Sequence, residues 1–121
     1  ILKHDAESKP PAGSNTVTGF SNNRYWLIQV QDINHIDAHG SEITCHTDQE
    51  TYYLKNNLQY YEDALGCHGV IRINKSQLIN LRQVKEIIPW FNARLVLVLR
   101  NSQRLEVSKR YSKILRKTLN M

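Results

Sequence analysis

Between Arg24 and Leu54 the chain alternates short runs of β-branched and aromatic residues with polar turns. The runs are Arg24 to Val30, Ile33 to His39, Glu42 to Thr47 and Thr51 to Leu54, and this spacing predicts antiparallel strands. A two-residue loop at Gly40-Ser41 pairs residues whose numbers sum to 81. Ile36 then meets Cys45 and Ala38 meets Ile43, which makes one apolar face. The other face carries His35, Asp37, His39, Glu42, Thr44 and His46 and is expected to be wet.

From Lys55 to Leu65 the period changes. Leu54, Leu58, Tyr61 and Leu65 recur at intervals of three or four, which predicts a helix that Gly66 is placed to end as a left-handed residue. A short strand from Gly69 to Ile73 follows, then a polar bend at Asn74-Lys75-Ser76 and an apolar run from Leu78 to Leu81. Further strands are predicted at Val84 to Pro89 and Arg94 to Leu99, with Arg100 to Gln103 turning into Leu105 to Val107. Ser108 is placed to cap a closing helix from Lys109 to about Leu119. Its inward side is expected to be Tyr111, Ile114, Leu115 and Leu119, and its outward side Arg110, Lys113, Arg116 and Lys117.

Residues 1 to 15, with Lys9-Pro10-Pro11-Ala12-Gly13-Ser14-Asn15, lack apolar periodicity and read as a linker or disordered tail. The folded domain is therefore expected over residues 16–121. No repeat of 20 to 50 residues is present, so solenoids and propellers are removed. The expected fold is mainly β: packed small antiparallel sheets with one mid-chain helix and a C-terminal helix.

Composition adds bounds. A chain of 121 residues with 40% hydrophobic content has material for one core. No apolar run reaches the roughly 20 residues of a membrane span, and the start lacks a signal peptide's apolar segment. A soluble, cytoplasmic protein without membrane contact is expected. The start at Ile1 suggests a piece of a longer protein whose N-terminal region handles the signal. Cys45 and Cys67 are too few for a disulfide framework and read as buried thiols.

Charge is more informative in its distribution than in its total. Residues 1 to 67 hold four Lys and Arg against nine Asp and Glu, whereas residues 68 to 121 hold twelve against two. A net −5 is thus followed by a net +10. Basic residues gathered in one half suit a polyanion, because they neutralise phosphates and release counterions. No glycine-rich phosphate loop, nucleophile elbow or HExxH motif occurs, so neither an enzyme nor a cofactor is expected. His35, Asp37, His39 and His46 share one predicted face, yet no Cys joins them and a solvated polar face is the expectation rather than a zinc site.

Four blocks carry a family resemblance. Val70 to Leu81, with its Arg72-Ile73-Asn74-Lys75-Ser76 core, is the most specific. Asp32-Ile33 to Asp37-Ala38, His46-Thr47 and Leu105-Glu106-Val107-Ser108-Lys109-Arg110-Tyr111 follow in the same order and spacing. Together they cover roughly residues 17 to 119, and the chain resembles the LytTR-type DNA-binding domain of bacterial response regulators in two-component systems. The resemblance implies sequence-specific binding of double-stranded DNA. Loops, rather than a recognition helix, would enter successive major grooves, commonly on promoter direct repeats that hold two copies side by side.

By the same resemblance Lys75 and Ser76 occupy DNA-contact positions, accompanied by Arg72 and Asn74. A bend with a cation, a hydroxyl and free N–H groups can meet phosphate or base edges. The alternative for Arg72 is an internal anchor of the bend. Arg110 matches a base-reading position, since a guanidinium can pair with guanine O6 and N7, and Lys109 is the better phosphate partner. His39 and Ser41 lie in a hairpin loop that would also enter a groove, although Glu42 departs from what DNA favours there. Two other functions compete. A single-stranded nucleic-acid binder would stack bases on Tyr52, Tyr53, Tyr60 and Tyr61, but these lie near Glu50, Glu62 and Asp63. A protein-interaction module would use the acidic half as its docking face.

Overall fold

The computed structural model of the chain describes residues 15–121, so nearly all of the expected linker lies outside the described residues. Turn chemistry lays out the first hairpin. Asn22 and Asn23 both take positive φ, 53° and 62°, as a type I′ turn requires. They fold β1 (Thr16–Ser21) back on β2 (Arg24–Gln29) in register from Thr16 opposite Gln29 to Ser21 opposite Arg24. β1 is a strand beyond those that the alternation from Arg24 onward predicts. At its centre Gly19 admits no side chain, because a Cβ there would sit 2.7 Å from both Ile28 Cδ1 and Tyr52 Cβ.

β3 (Ile33–His39) and β4 (Glu42–Thr47) form the expected hairpin, with Ile36 opposite Cys45 and Ala38 opposite Ile43. Gly40, at φ 63°, turns the loop. With β5 (Thr51–Leu54), β6 (Val70–Asn74) and β7 (Gln77–Asn80) these strands build an antiparallel seven-stranded sheet in the order β2-β1-β5-β4-β3-β7-β6. α1 (Leu58–Leu65) covers one face and contributes Leu58, Tyr61 and Leu65 to a core with Ile33, Ile36, Cys45 and Leu78. It begins three residues later than its periodicity predicts, because the Asn57 side chain accepts a hydrogen bond from Tyr60 N at 2.9 Å and caps it. Gly66 does not take the left-handed conformation. The chain continues as a 3-10 turn over Gly66–His68, and Gly69, at φ 89°, ends it.

A second sheet, in the order β10-β9-β8, comprises β8 (Val84–Pro89), β9 (Leu95–Leu99) and β10 (Arg104–Val107). It shares a second core with Ile73 and Ile79 and with Leu115 of α2 (Lys109–Thr118). β9 is buried throughout. The inward face of α2 differs from expectation: Ile114 and Leu119 are exposed, and fully buried Ser112 takes an inward place. Its hydroxyl accepts from Leu95 N at 3.0 Å and donates to Val107 O at 3.2 Å, so a polar residue joins α2 to both neighbouring strands.

The polar face of the β3–β4 hairpin is wet just at its loop end, where His39 and Glu42 are exposed. His35, Asp37 and Thr44 are buried, because that face continues into the second core at Ile79, which pairs with His35. Cys45 is buried as expected, and burial pushes its thiol up to about 12. Cys67 is exposed. No helix among the described residues is long and apolar enough to cross a membrane.

Candidate nucleic-acid interface

Strand pairing gathers three connections along one edge of the molecule. β3 runs out to the Gly40-Ser41 loop beside the start of β7, with Asp37 opposite Gln77 and Ala38 N donating to Ser76 O at 2.8 Å. The Lys75-Ser76 turn is therefore the neighbour of the Gly40-Ser41 loop. On its far side, Ser108 N donates to Ile73 O at 3.0 Å and Asn74 Nδ2 to Glu106 O at 3.2 Å. These bonds bring up the junction between β10 and α2. His39, Ser41, Lys75, Ser76, Lys109 and Arg110 are all exposed along this row.

The central turn is built around the side chain of half-buried Asn74. Asn74 Oδ1 accepts from Ser76 N at 2.9 Å and from Ser76 Oγ at 3.3 Å, closing an Asx-type turn. Its Nδ2 donates to Gln77 Oε1 at 2.8 Å as well as to Glu106 O. Gln77 in turn donates through Nε2 to Asp37 Oδ1 at 3.1 Å. Asn74 thus spends its amide inside the protein, on shaping the turn and joining it to β10. Arg72 is not brought to the row. Its Nε lies 3.6 Å from Glu62 Oε1 of α1, an ion pair with the helix rather than the hydrogen-bonded anchor of the bend.

Asp37 is the buried end of this network. His35 Nδ1 donates to its Oδ1 at 2.8 Å, and His46 Nε2 lies 3.2 Å from its Oδ2. Burial alone would raise its carboxyl, but the hydrogen bonds from His35, His46 and Gln77 and the charge interaction with His35 outweigh burial and hold it well below the usual carboxylate range. Candidate ligand atoms of His35, Asp37 and His46 lie within 4.8 Å of one another. The two imidazoles, however, stack with centroids 4.3 Å apart and planes 17° apart. Nitrogen lone pairs lie in the ring plane, so nearly parallel rings do not aim theirs at a common point about 2 Å from each, as a zinc ion needs. The arrangement fits a carboxylate shared between two N–H donors.

The third connection is strongly basic. Lys109 and Arg110 occupy the first turn of α2, Lys113 and Lys117 follow exposed on its outer face, and Arg110 lies 5.4 Å over the Tyr111 ring. Ser108 stands at the cap position, but its hydroxyl makes no capping hydrogen bond. Cations in a first turn oppose the helix dipole and cost about 0.3–1 kcal/mol each at a surface. The helix dipole therefore disfavours Lys109 and Arg110 in this turn, whereas it would favour an anion placed before the helix.

A mainly β domain with basic, exposed connections gathered along one edge is of a class suited to facing a polyanion. The comparisons with known proteins name the family. Residues 23–120 match the family model of the LytTr DNA-binding domain, and the chain belongs to that family. The sensory transduction protein LytR of Streptococcus agalactiae is 30% identical over 95 residues, covering 78% of this chain and 39% of that protein. The transcriptional regulatory protein LytR of Staphylococcus aureus is 31% identical over 87 residues, covering 72% of this chain and 35% of that protein. This chain thus spans less than half of either relative. A solved LytTr DNA-binding domain from Bacillus cereus superimposes with a TM-score of 0.85 over 90% of this chain and all of that one, at 24% identity. The likeness shows the same fold.

Proposed function

We propose that this domain is the output module of a bacterial transcription regulator and binds duplex DNA sequence-specifically through its row of three connections. The observation that carries the reading is the convergence of Lys75-Ser76 and Lys109-Arg110, from the basic part of a LytTR-family chain, with the Gly40-Ser41 loop on one exposed edge. Arg110 reads guanine in the major groove, and Lys109 holds the adjacent phosphate. Lys75 and Ser76 enter the neighbouring groove, and His39 and Ser41 approach it from the far side of the row. Asn74 acts through the shape of the turn, and Arg72 through its hold on α1. Two copies occupy tandem repeats side by side. Residues 1 to 15 tether the domain to a signalling region upstream, and the protein works in the cytoplasm.

The single-stranded alternative loses its platform in this fold. Tyr61 is buried and Tyr52 and Tyr60 are half-buried, which leaves Tyr53 as the exposed ring of the four. Methylation interference on a duplex selected by the domain tests the proposal. Blocking guanine N7 should abolish binding at positions in two successive major grooves on one side of the duplex, and Arg110→Ala should remove the effect at one of them. Indifference to N7 methylation at every guanine would contradict major-groove reading.

A further inference from the structure

The connection between β8 and β9, residues 90–94, plays no part in the reading above. Register places it at the same end of the molecule. Leu95 pairs with Val107 on one side and with Pro89 on the other, so the β8–β9 tip and the β10–α2 junction leave the second sheet together. The row of three connections therefore continues to a fourth.

This tip is unusual in what it exposes. Trp90 is 44% exposed and Phe91 73%, and the two rings meet edge to face with centroids 5.2 Å apart. Hydrogen bonds from Trp90 N to Arg94 O at 2.8 Å and from Arg94 N to Phe91 O at 3.1 Å close the loop. Asn92 and Ala93 take φ 56° and 61°, a conformation that side chains seldom adopt and that is unexpected of alanine. Arg116 Nη1 donates to Ala93 O at 2.8 Å and fixes the strained tip to α2. Between tip and helix lies an open hollow of about 740 Å³ lined by Ala93, Met121 and the side chains of Lys109, Arg110, Lys113, Arg116 and Lys117. No Asp or Glu lines it among the described residues, and residues 68–121 contain just Glu86 and Glu106 as acidic side chains.

We propose that the Trp90–Arg94 tip is a fourth DNA-contacting element, which extends the interface from Arg110 along α2 to the duplex flanking the read site. The inference rests on the duplex reading of the loop row. The cationic hollow takes the sugar-phosphate backbone as it leaves Arg110, Arg94 neutralises a further phosphate, and the two rings pack against sugars and base edges of the flanking groove. Exposed aromatic rings would equally suit a protein partner. DNA is favoured because the hollow opens from Arg110 itself and five of the seven residues that line it are Lys or Arg.

Trp26 and Trp90 are the two tryptophans of the chain, so Trp26→Phe leaves Trp90 as a reporter. This variant is titrated with a selected duplex in two lengths, one trimmed to the read site and one carrying a flanking half-turn on each side. Trp90 emission should change with the long duplex and saturate where labelled-duplex anisotropy saturates, and it should change less with the trimmed one. Phe91→Ser and Arg94→Ala should each weaken the long duplex by at least about fivefold while leaving the trimmed duplex and the melting temperature unchanged. Unchanged Trp90 emission at saturation, or equal affinity of Phe91→Ser and wild type for the long duplex, would overturn the proposal. So would a change of sedimentation state in Phe91→Ser with DNA affinity intact, which assigns the tip to protein contact. Arg110→Ala on the trimmed duplex separates the two levels: if it too binds normally, the duplex reading itself has failed.

Discussion

The end of the large sheet formed by β1, β2 and β5 and the end that carries the loop row both expose aromatic rings. Tyr25 is 77% and Tyr53 50% exposed at the first end, much as Trp90 and Phe91 are at the second. β1 and β5 pair just at Phe20 and Tyr53, and a groove of about 520 Å³ opens beside that pair. Apolar exposure and concavity therefore do not distinguish the two ends. Charge and convergence do. The first end is built wholly from the part of the chain with net −5, whereas the second takes two of the three connections of its row, Lys75-Ser76 and Lys109-Arg110, from the part with net +10. At the second, connections from both sheets meet and are cross-bonded by backbone and amide groups.

The largest effect that would sharpen this contrast is expected at Arg110. Arg110→Ala should lose about 1–3 kcal/mol of discrimination at one base pair, because a paired hydrogen bond to guanine carries sequence information. Affinities for duplexes changed one base pair at a time measure it, and a penalty retained at every position would move Arg110 to a phosphate or structural role. Lys109→Ala should weaken selected and random duplexes alike and reduce the salt slope by about one.

Asp37 provides the next effect, on stability. Asp37→Asn keeps the shape but weakens the bonds from His35, His46 and Gln77, and should cost about 1–3 kcal/mol near pH 7. Because the folded carboxyl titrates below its ordinary 3.8, its stabilisation is complete above that pH and drains away as pH falls below it. The melting temperatures of wild type and Asp37→Asn should therefore converge in acid. A constant gap down to pH 2 would remove the charged network as the cause.

Lys75→Ala should weaken duplex binding several-fold with an unchanged melting temperature, since an exposed turn cation leaves no cavity when truncated. The smallest effect belongs to the acidic end, where Tyr53→Ser should leave duplex affinity unaltered within twofold. A loss there comparable to that of Lys75→Ala would erase the distinction between the two ends.

Much of this arrangement was legible in the residues. Strict alternation around Gly40-Ser41 specified the β3–β4 register, since a slip of one residue would turn every apolar side chain to the wrong face. The bend at Lys75-Ser76 and the basic start of α2 were visible as well, from local chemistry and from family blocks. What escaped was tertiary. β1 went uncounted because Asn22-Asn23 is a weaker hairpin signal than Asn-Gly. The direction of Arg72 depends on Glu62 in a distant helix. Nothing local shows that the polar face of β3 is roofed by the second core, and so Asp37 and Gln77 escaped notice as the supports of the central turn. Trp90 and Phe91 fell at the end of a strand run, where exposure cannot be read from periodicity.

The central claim is that the basic row reads a particular DNA sequence. Selection from a random duplex pool, followed by titration of the selected and a scrambled duplex across a salt series, tests it most directly. An enriched motif that is repeated in tandem is expected. The selected duplex should bind at least about a thousandfold more tightly than the scrambled one, and both affinities should fall linearly on a log–log plot against salt. Failure to enrich any motif, or equal affinity for the two duplexes at every salt concentration, would contradict it.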